Sequence, residues 1–99
     1  MIRHIVLFKV RDNVPAEQKA SQLKTLKADF EALVGQIPSL RSIEIGLNVN
    51  PQEKFDLSLT AVFDDMAGLQ AYAVDPRHVA VASRLRPILD ARACNDYEF

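Results

Sequence analysis

The sequence contains very little cysteine, glycine or histidine, and each shortage excludes a class of site. A single cysteine, Cys94, among 99 residues excludes an internal disulfide and any cysteine-rich zinc site. Three scattered glycines form no phosphate-binding loop. The two histidines, His4 and His78, show no local ligand spacing. The sequence therefore predicts no metal site, unless ligands that are distant along the chain converge.

The sequence also lacks a strong net charge and any long apolar run. Twelve Lys and Arg residues against 13 Asp and Glu residues leave a net charge of −1, which gives no field to attract nucleic acid or an anionic membrane. The longest apolar stretches, such as residues 5–8, are far too short to span a bilayer. The lone thiol and the absence of a signal-peptide pattern favour a reducing compartment. We therefore expect a cytoplasmic protein with no nucleic-acid or membrane partner.

The residues that are present predict one folded domain over residues 1–99. Hydrophobic residues make up 48% and charged residues 25%, as in ordinary globular proteins. Apolar periodicity and turn residues predict seven elements in order. They are a strand at 2–10, a helix of roughly twenty residues from residue 16, strands at 40–49 and 55–63, short helices at 66–73 and 77–86, and a last strand at 91–99. This βαββαβ order predicts an α+β fold of the ferredoxin-like type, an antiparallel sheet with helices on one face.

The first strand is apolar on both of its faces, although the predicted fold covers one face of the sheet with helices. Ile5 and Leu7 alternate with the helix-facing set, and Val62 of a neighbouring strand shares their side. An exposed apolar sheet face of this kind needs a partner. We therefore expect a homodimer in which two sheets pack face to face.

One segment, "QAYAVDPRHVA", brings a tyrosine and a histidine close together along the chain. His78 follows Pro76 in the first turn of a predicted helix, where the helix dipole disfavours the imidazolium. A neutral histidine beside a pocket can act as a general base, and the hydroxyl of Tyr72 can donate a hydrogen bond. The alternatives are an exposed histidine without a role and a tyrosine that only packs in the core.

A cavity between the sheet and the helices would have mainly apolar walls. His4 shares a strand face with Val6 and is either a core histidine or a second polar group of that cavity. A lining of this kind suits a small hydrophobic or aromatic ligand. We expect the apolar walls to come from residues of the strands and of the first helix, namely Phe8, Leu23, Phe30, Leu59 and Phe63.

Four segments, "MIRHIVLFKV", "FDLSLTAVF", "AYAVDPRHVAVASRLRP" and "NDYEF", resemble the stress-responsive dimeric α/β-barrel family, the Dabb domain. The resemblance covers nearly the whole chain in the same order. It implies a ferredoxin-like subunit, a dimer with a central β-barrel, and a small cavity in each subunit. It also implies acid–base roles for Tyr72 and His78, because a plant polyketide cyclase of the family uses the corresponding tyrosine and histidine.

Three functions follow as hypotheses. The first is a cofactor-free enzyme that abstracts a proton next to a carbonyl, as in aldol-type ring closure or isomerisation. The second is a non-catalytic, stress-related dimer that binds a small hydrophobic molecule, and the third is haem-dependent or cofactor-independent oxygenation. The first requires that Tyr72 and His78 line one cavity, with their polar atoms inward and room for a ligand between them.

Overall fold

A computed structural model describes residues 1–99 and contains four strands and three helices. The sheet has the order β2-β3-β1-β4, and every neighbouring pair is antiparallel. The predicted ferredoxin-like α+β fold is therefore confirmed. The elements are β1 (Ile2–Val10), α1 (Ala16–Glu31), β2 (Ser42–Leu47), β3 (Leu57–Phe63), α2 (Met66–Val74), α3 (Pro76–Leu85), a 3₁₀ turn (Arg86–Ile88) and β4 (Leu89–Glu98). None of the helices is both long and apolar enough to cross a membrane.

The sheet buries one face against the helices, and the side chains on its other face are only half-buried. On β1, Val6 and Phe8 are buried on the helix side, whereas Ile5 and Leu7 on the opposite side are only half-buried. β3 alternates in the same way along its whole length. The buried residues of the helices join the helix-side residues of the strands in one hydrophobic core. We call the side of the sheet opposite to the helices the outer face.

Helix α1 ends earlier than its apolar periodicity predicts. The prediction of about twenty residues from Ala16 is wrong, because the helix has 16 residues and ends at Glu31. The amide of Leu33 donates a hydrogen bond to the carbonyl of Phe30, three residues back, which is the pattern of a tighter 3₁₀ turn. Gly35 then adopts a φ of 88°, a left-handed conformation that glycine accepts without steric strain. The apolar pattern continues past the helix because residues of the following turns are also buried.

Strand β4 forms one edge of the sheet and extends beyond the cover of the helices. It begins at Leu89, two residues before the predicted start, because Leu89 already pairs with Val10. Further along, Cys94 pairs with Val6, and Asp96 pairs with His4. Cys94 and Asp96 therefore share the helix side of the sheet with these β1 residues, yet both remain exposed.

Candidate active site

A cavity of about 290 Å³ lies between the sheet and the helices, next to strand β4. Ten of its 14 lining residues are hydrophobic, and they come from β1, β3, β4 and all three helices. Its volume is that of roughly ten water molecules, which suits a small organic ligand. The polar and charged lining residues are His4, His78, Arg86 and Arg92, and Tyr72 also lines the cavity.

The structure brings most of the predicted site residues together around this cavity. His4, Phe8, Phe30, Leu59, Tyr72 and His78 all line it. Leu23 and Phe63 do not, so their prediction as wall residues is corrected. Leu23 is buried two turns before Phe30 on α1, about 10 Å along the helix axis. Phe63 packs behind the cavity, with its ring centroid 5.1 Å from that of Tyr72 and 6.4 Å from that of His4.

Tyr72 lies in the last turns of α2 and is almost completely buried, with 1% of its surface exposed. Its hydroxyl group is sealed from water and has no hydrogen-bond partner in the protein. A buried hydroxyl without a partner is uncommon, because its desolvation is then uncompensated. Burial also raises the pKa of the Tyr72 phenol well above its usual range. The group therefore stays protonated at physiological pH and can serve as a hydrogen-bond donor.

His78 is the third residue of α3 and is held in one orientation by the end of the preceding helix. Its Nδ1 lies 3.1 Å from the carbonyl oxygen of Ala73, one of the carbonyls that the end of α2 leaves unpaired. Nδ1 therefore carries the proton and donates to Ala73, while Nε2 has no partner in the protein. Burial lowers the pKa of His78 below its ordinary value of 6.5, the hydrogen bond to Ala73 opposes that shift in part, and the positive charge of Arg86 adds to it. At pH 7 the ring is mainly neutral, with Nε2 free to accept a proton.

The rings of Tyr72 and His78 touch each other. Their centroids are 4.2 Å apart at an interplanar angle of 40°, which is direct packing contact. The expectation that a ligand fits between the two rings is therefore corrected. A ligand in this cavity would have to lie beside the pair, against the apolar walls.

His4 has partners that sequence analysis did not find. Its side chain is 12% exposed, and Nδ1 donates a hydrogen bond to the Oδ1 of Asp96 on β4. The Sγ of Cys94 lies 3.6 Å from the same nitrogen. The signal in the sequence was the alternate spacing of Cys94 and Asp96, which places both on one face of a strand. Their approach to His4 depends on the pairing of the first strand with the last, which local patterns do not reveal.

Two of the residues that line the cavity are arginines without ionic partners. Arg86 and Arg92 line it and form no ion pair, whereas Arg84, on the outside of α3, pairs with Asp29 at 2.6 Å. No carboxylate is among the lining residues. The fully charged side chains that line the cavity are therefore both cationic, which favours a ligand with an acidic group.

Comparison with known proteins supports the family that the four segments suggested. The family model of the stress responsive A/B barrel domain, Dabb, matches residues 2–99. An uncharacterized protein of Streptomyces coelicolor is 35% identical over 100 residues, and the match spans 100% of both chains.

Two solved structures extend the comparison. A dimeric protein of unknown function from Bacteroides fragilis is 44% identical, with a TM-score of 0.96 over 99% of this chain and 95% of that chain. A hydroxynitrile lyase from Passiflora edulis is 18% identical, with a TM-score of 0.77 over 97% of this chain and 90% of that chain, which shows a shared fold alone. The match of the family model over nearly the whole chain is decisive, and the chain belongs to the stress responsive A/B barrel domain family.

Proposed function

We propose that this chain is a homodimeric, cofactor-free acid–base enzyme that acts on a small apolar carbonyl compound. The observation that carries the proposal is the pairing of Tyr72 and His78 on the wall of one cavity. One side chain is a hydroxyl donor without a partner, and the other is a neutral imidazole whose Nε2 is free. This combination meets the two requirements of proton abstraction next to a carbonyl, a base and a stabiliser of the developing oxyanion.

In the proposed reaction, Nε2 of His78 removes a proton from the carbon next to the carbonyl. The C–H bond breaks, an N–H bond forms, and the electron pair moves into the enolate. Once a movement of the ring opens its hydroxyl to the cavity, Tyr72 donates a hydrogen bond to the enolate oxygen, and the surrounding apolar walls strengthen that bond because they exclude water. In a conjugated substrate, Nε2 of His78 then returns the proton to the far carbon of the dienolate, which is isomerisation. Alternatively, the enolate carbon attacks a second carbonyl, a C–C bond forms, and the resulting alkoxide takes the proton from Nε2, which is aldol-type ring closure.

The cavity also defines the kind of ligand. Its apolar walls and its volume of about 290 Å³ suit a short aromatic or alkyl ketone. Arg86 and Arg92 suit an acidic group on that ketone, because both guanidinium groups lack an ionic partner in the protein.

A second candidate function is ligand binding without catalysis. The observation that favours it is the hydroxyl of Tyr72, which is sealed from water, so a substrate oxygen reaches it only after the ring moves. A non-catalytic dimer would use the same cavity for a hydrophobic molecule and would need no proton transfer.

The experiment that tests the proposal measures exchange of the protons next to a carbonyl in deuterated water. A panel of methyl ketones with aromatic or alkyl tails, each with and without a carboxylate, is followed by NMR in the presence of the protein. We expect exchange above the buffer rate, and we expect His78→Gln to lower it by roughly 10²–10⁴, the usual contribution of a general base. Tyr72→Phe should lower it as well, because the enolate loses its hydrogen bond.

The matched control is Val79→Ala, a change at a residue that is 38% exposed and next to His78 on the same helix. It should retain the wild-type exchange rate. Binding of a ketone without any exchange supports the non-catalytic function. Exchange that survives in His78→Gln contradicts the assignment of the base.

The dimer is proposed to form through the outer face of the sheet. Ile5 and Leu7 on this face are only half-buried within one subunit. The Bacteroides fragilis relative, 44% identical over almost the whole chain, is itself dimeric. Packing of two such faces would bury the apolar surface that the helices leave open.

A further inference from the structure

Three potential metal ligands meet on the helix side of strands β1 and β4. The antiparallel register pairs His4 with Asp96 and Val6 with Cys94, so the imidazole, the carboxylate and the thiol all project from the same face. One ligand atom from each of the three residues lies within 4.8 Å of the others. The positions are set by paired strands of the sheet, not by a loop.

The distances between these atoms resemble those around a tetrahedral zinc ion. The Sγ of Cys94 lies 3.6 Å from Nδ1 of His4 and 3.6 Å from Oδ1 of Asp96. Bond lengths of about 2.3 Å for sulfur and about 2.0–2.1 Å for nitrogen and oxygen, at tetrahedral angles, put these ligand pairs roughly 3.5–3.6 Å apart. The nitrogen and oxygen are now closer because they share a hydrogen bond, and a metal ion would take the place of its proton.

We propose that His4, Cys94 and Asp96 form a binding site for a zinc-like divalent transition-metal ion, with a fourth coordination position open to water or to a ligand. Sequence spacing predicted no such site, because its ligands come from the two ends of the chain. The proposal does not depend on the acid–base function, since it uses neither Tyr72 nor His78.

The donor set selects the class of metal. One thiolate, one imidazole and one carboxylate suit Zn²⁺ and Co²⁺, whereas Mg²⁺ and Ca²⁺ prefer sites made of oxygen atoms alone. Three protein ligands and an open position are the pattern of reactive zinc sites, in contrast to closed structural ones.

The site is accessible from solvent and adjoins the cavity. Cys94 is exposed, and Asp96 has 30% of its side chain exposed. Both lie on the side of the sheet opposite to the outer face, so the proposed dimer would not cover them. His4 also lines the cavity, so a bound ion would hold the imidazole in place at the cavity wall.

The test uses the full chain without an affinity tag, kept reduced and freed of metal. Calorimetric titration with Zn²⁺ should show one ion per subunit, and Mg²⁺ should show no binding over the same concentrations. Titration with Co²⁺ should produce the absorption band of a thiolate bound to the metal. Cys94→Ser and Asp96→Asn should each lower the affinity at least ~10-fold, because even the loss of a residue that only supports a ligand costs about 10–100-fold. The thiolate band should be absent in Cys94→Ser.

Two matched variants separate this site from non-specific binding. Glu98→Gln changes a carboxylate on the same face of β4, and His78→Gln changes the other histidine. Both should bind Zn²⁺ as the wild-type chain does. A Co²⁺ complex without the thiolate band, or an affinity that Cys94→Ser and Asp96→Asn leave unchanged, overturns the proposal. An equal loss of affinity in Glu98→Gln also overturns it, because binding would then follow general negative charge.

Discussion

At the scale of residues, the cavity combines two groups, Tyr72 and His78, whose pKa values are shifted in opposite directions by burial. Burial raises the pKa of the Tyr72 hydroxyl, so it keeps its proton, and lowers the pKa of His78, so the imidazole loses its proton more easily. The same apolar surroundings therefore produce a donor and an acceptor side by side. Pairs of groups whose protonation is separated in this way are frequent at reactive sites.

The lowered pKa of His78 predicts how the stability of the fold depends on pH. Between the unfolded value near 6.5 and the lower folded value, the unfolded chain binds a proton that the folded chain does not. The free energy of unfolding should therefore fall as the pH drops below 6.5, and the loss should end once the pH passes the folded pKa. His78→Gln removes this contribution.

The measurement compares thermal unfolding of the wild-type protein and His78→Gln from about pH 7.5 down to about pH 5. The melting temperature of the wild type should decline more steeply than that of the variant. Parallel curves would show that His78 titrates alike in the folded and unfolded chains. That result would contradict the assignment of His78 as a base that burial keeps neutral.

The sequence allowed some contacts of the site to be predicted and not others, for a physical reason. Tyr72 and His78 are close along the chain, so one segment sufficed to predict that they meet. The contacts of His4 with Cys94 and Asp96 cross almost the full length of the chain and depend on strand register. The exclusion of Leu23 from the cavity wall likewise depends on where α1 crosses the sheet, which periodicity does not specify.

At the scale of elements, the short helix α2 positions Tyr72, and its beginning is defined by one side chain. Asp65 adopts an extended conformation, and its carboxylate accepts a hydrogen bond from the amide of Gly68 at 2.8 Å. This cap satisfies one of the amides that the first turn leaves unpaired. α2 has nine residues, so it is too short to be stable in isolation and depends on its cap and its packing.

We expect Asp65→Ala to lower the free energy of unfolding by about 1 kcal/mol, the usual cost of a lost N-terminal cap. Urea denaturation measures the change as a lower midpoint with an unaltered slope. Asp65→Asn is the control, because an amide oxygen can accept the same hydrogen bond. An equal loss in both variants would assign the effect to the charge of Asp65 and not to the cap.

The elements themselves were largely predictable, and their exceptions lie at the ends. The prediction for β1 is confirmed in both bounds because its apolar run is dense and its neighbours are turn residues. The last strand was predicted to begin at Ala91, after the break at Pro87, yet Leu89 already pairs with β1. Pairing between distant strands defines that start, and a local pattern cannot contain it.

At the scale of the whole molecule, the proposed dimer uses the outer face of the sheet. The two central strands, β1 and β3, place Ile5, Leu7 and Val62 on this face, and all three are half-buried in one subunit. Apolar residues at the centre of an uncovered sheet are a stronger sign of a partner than scattered ones at its edges. The cavity and the proposed metal site lie on the other side, so association would leave both open.

Leu7→Asp is the sharpest test of that assembly. Leu7 lies opposite Ser58 in the middle of the sheet, so a second copy packed on this face would enclose the new carboxylate. An enclosed carboxylate without a partner costs several kcal/mol, a large part of the roughly 5–15 kcal/mol that stabilises a small domain. Sedimentation should therefore show a monomer, folded or unfolded, at concentrations where the wild type is a dimer. Val74→Asp adds the same charge at a valine that is 75% exposed at the end of α2, and it should remain dimeric. A folded Leu7→Asp dimer would mean that the two subunits meet through another surface.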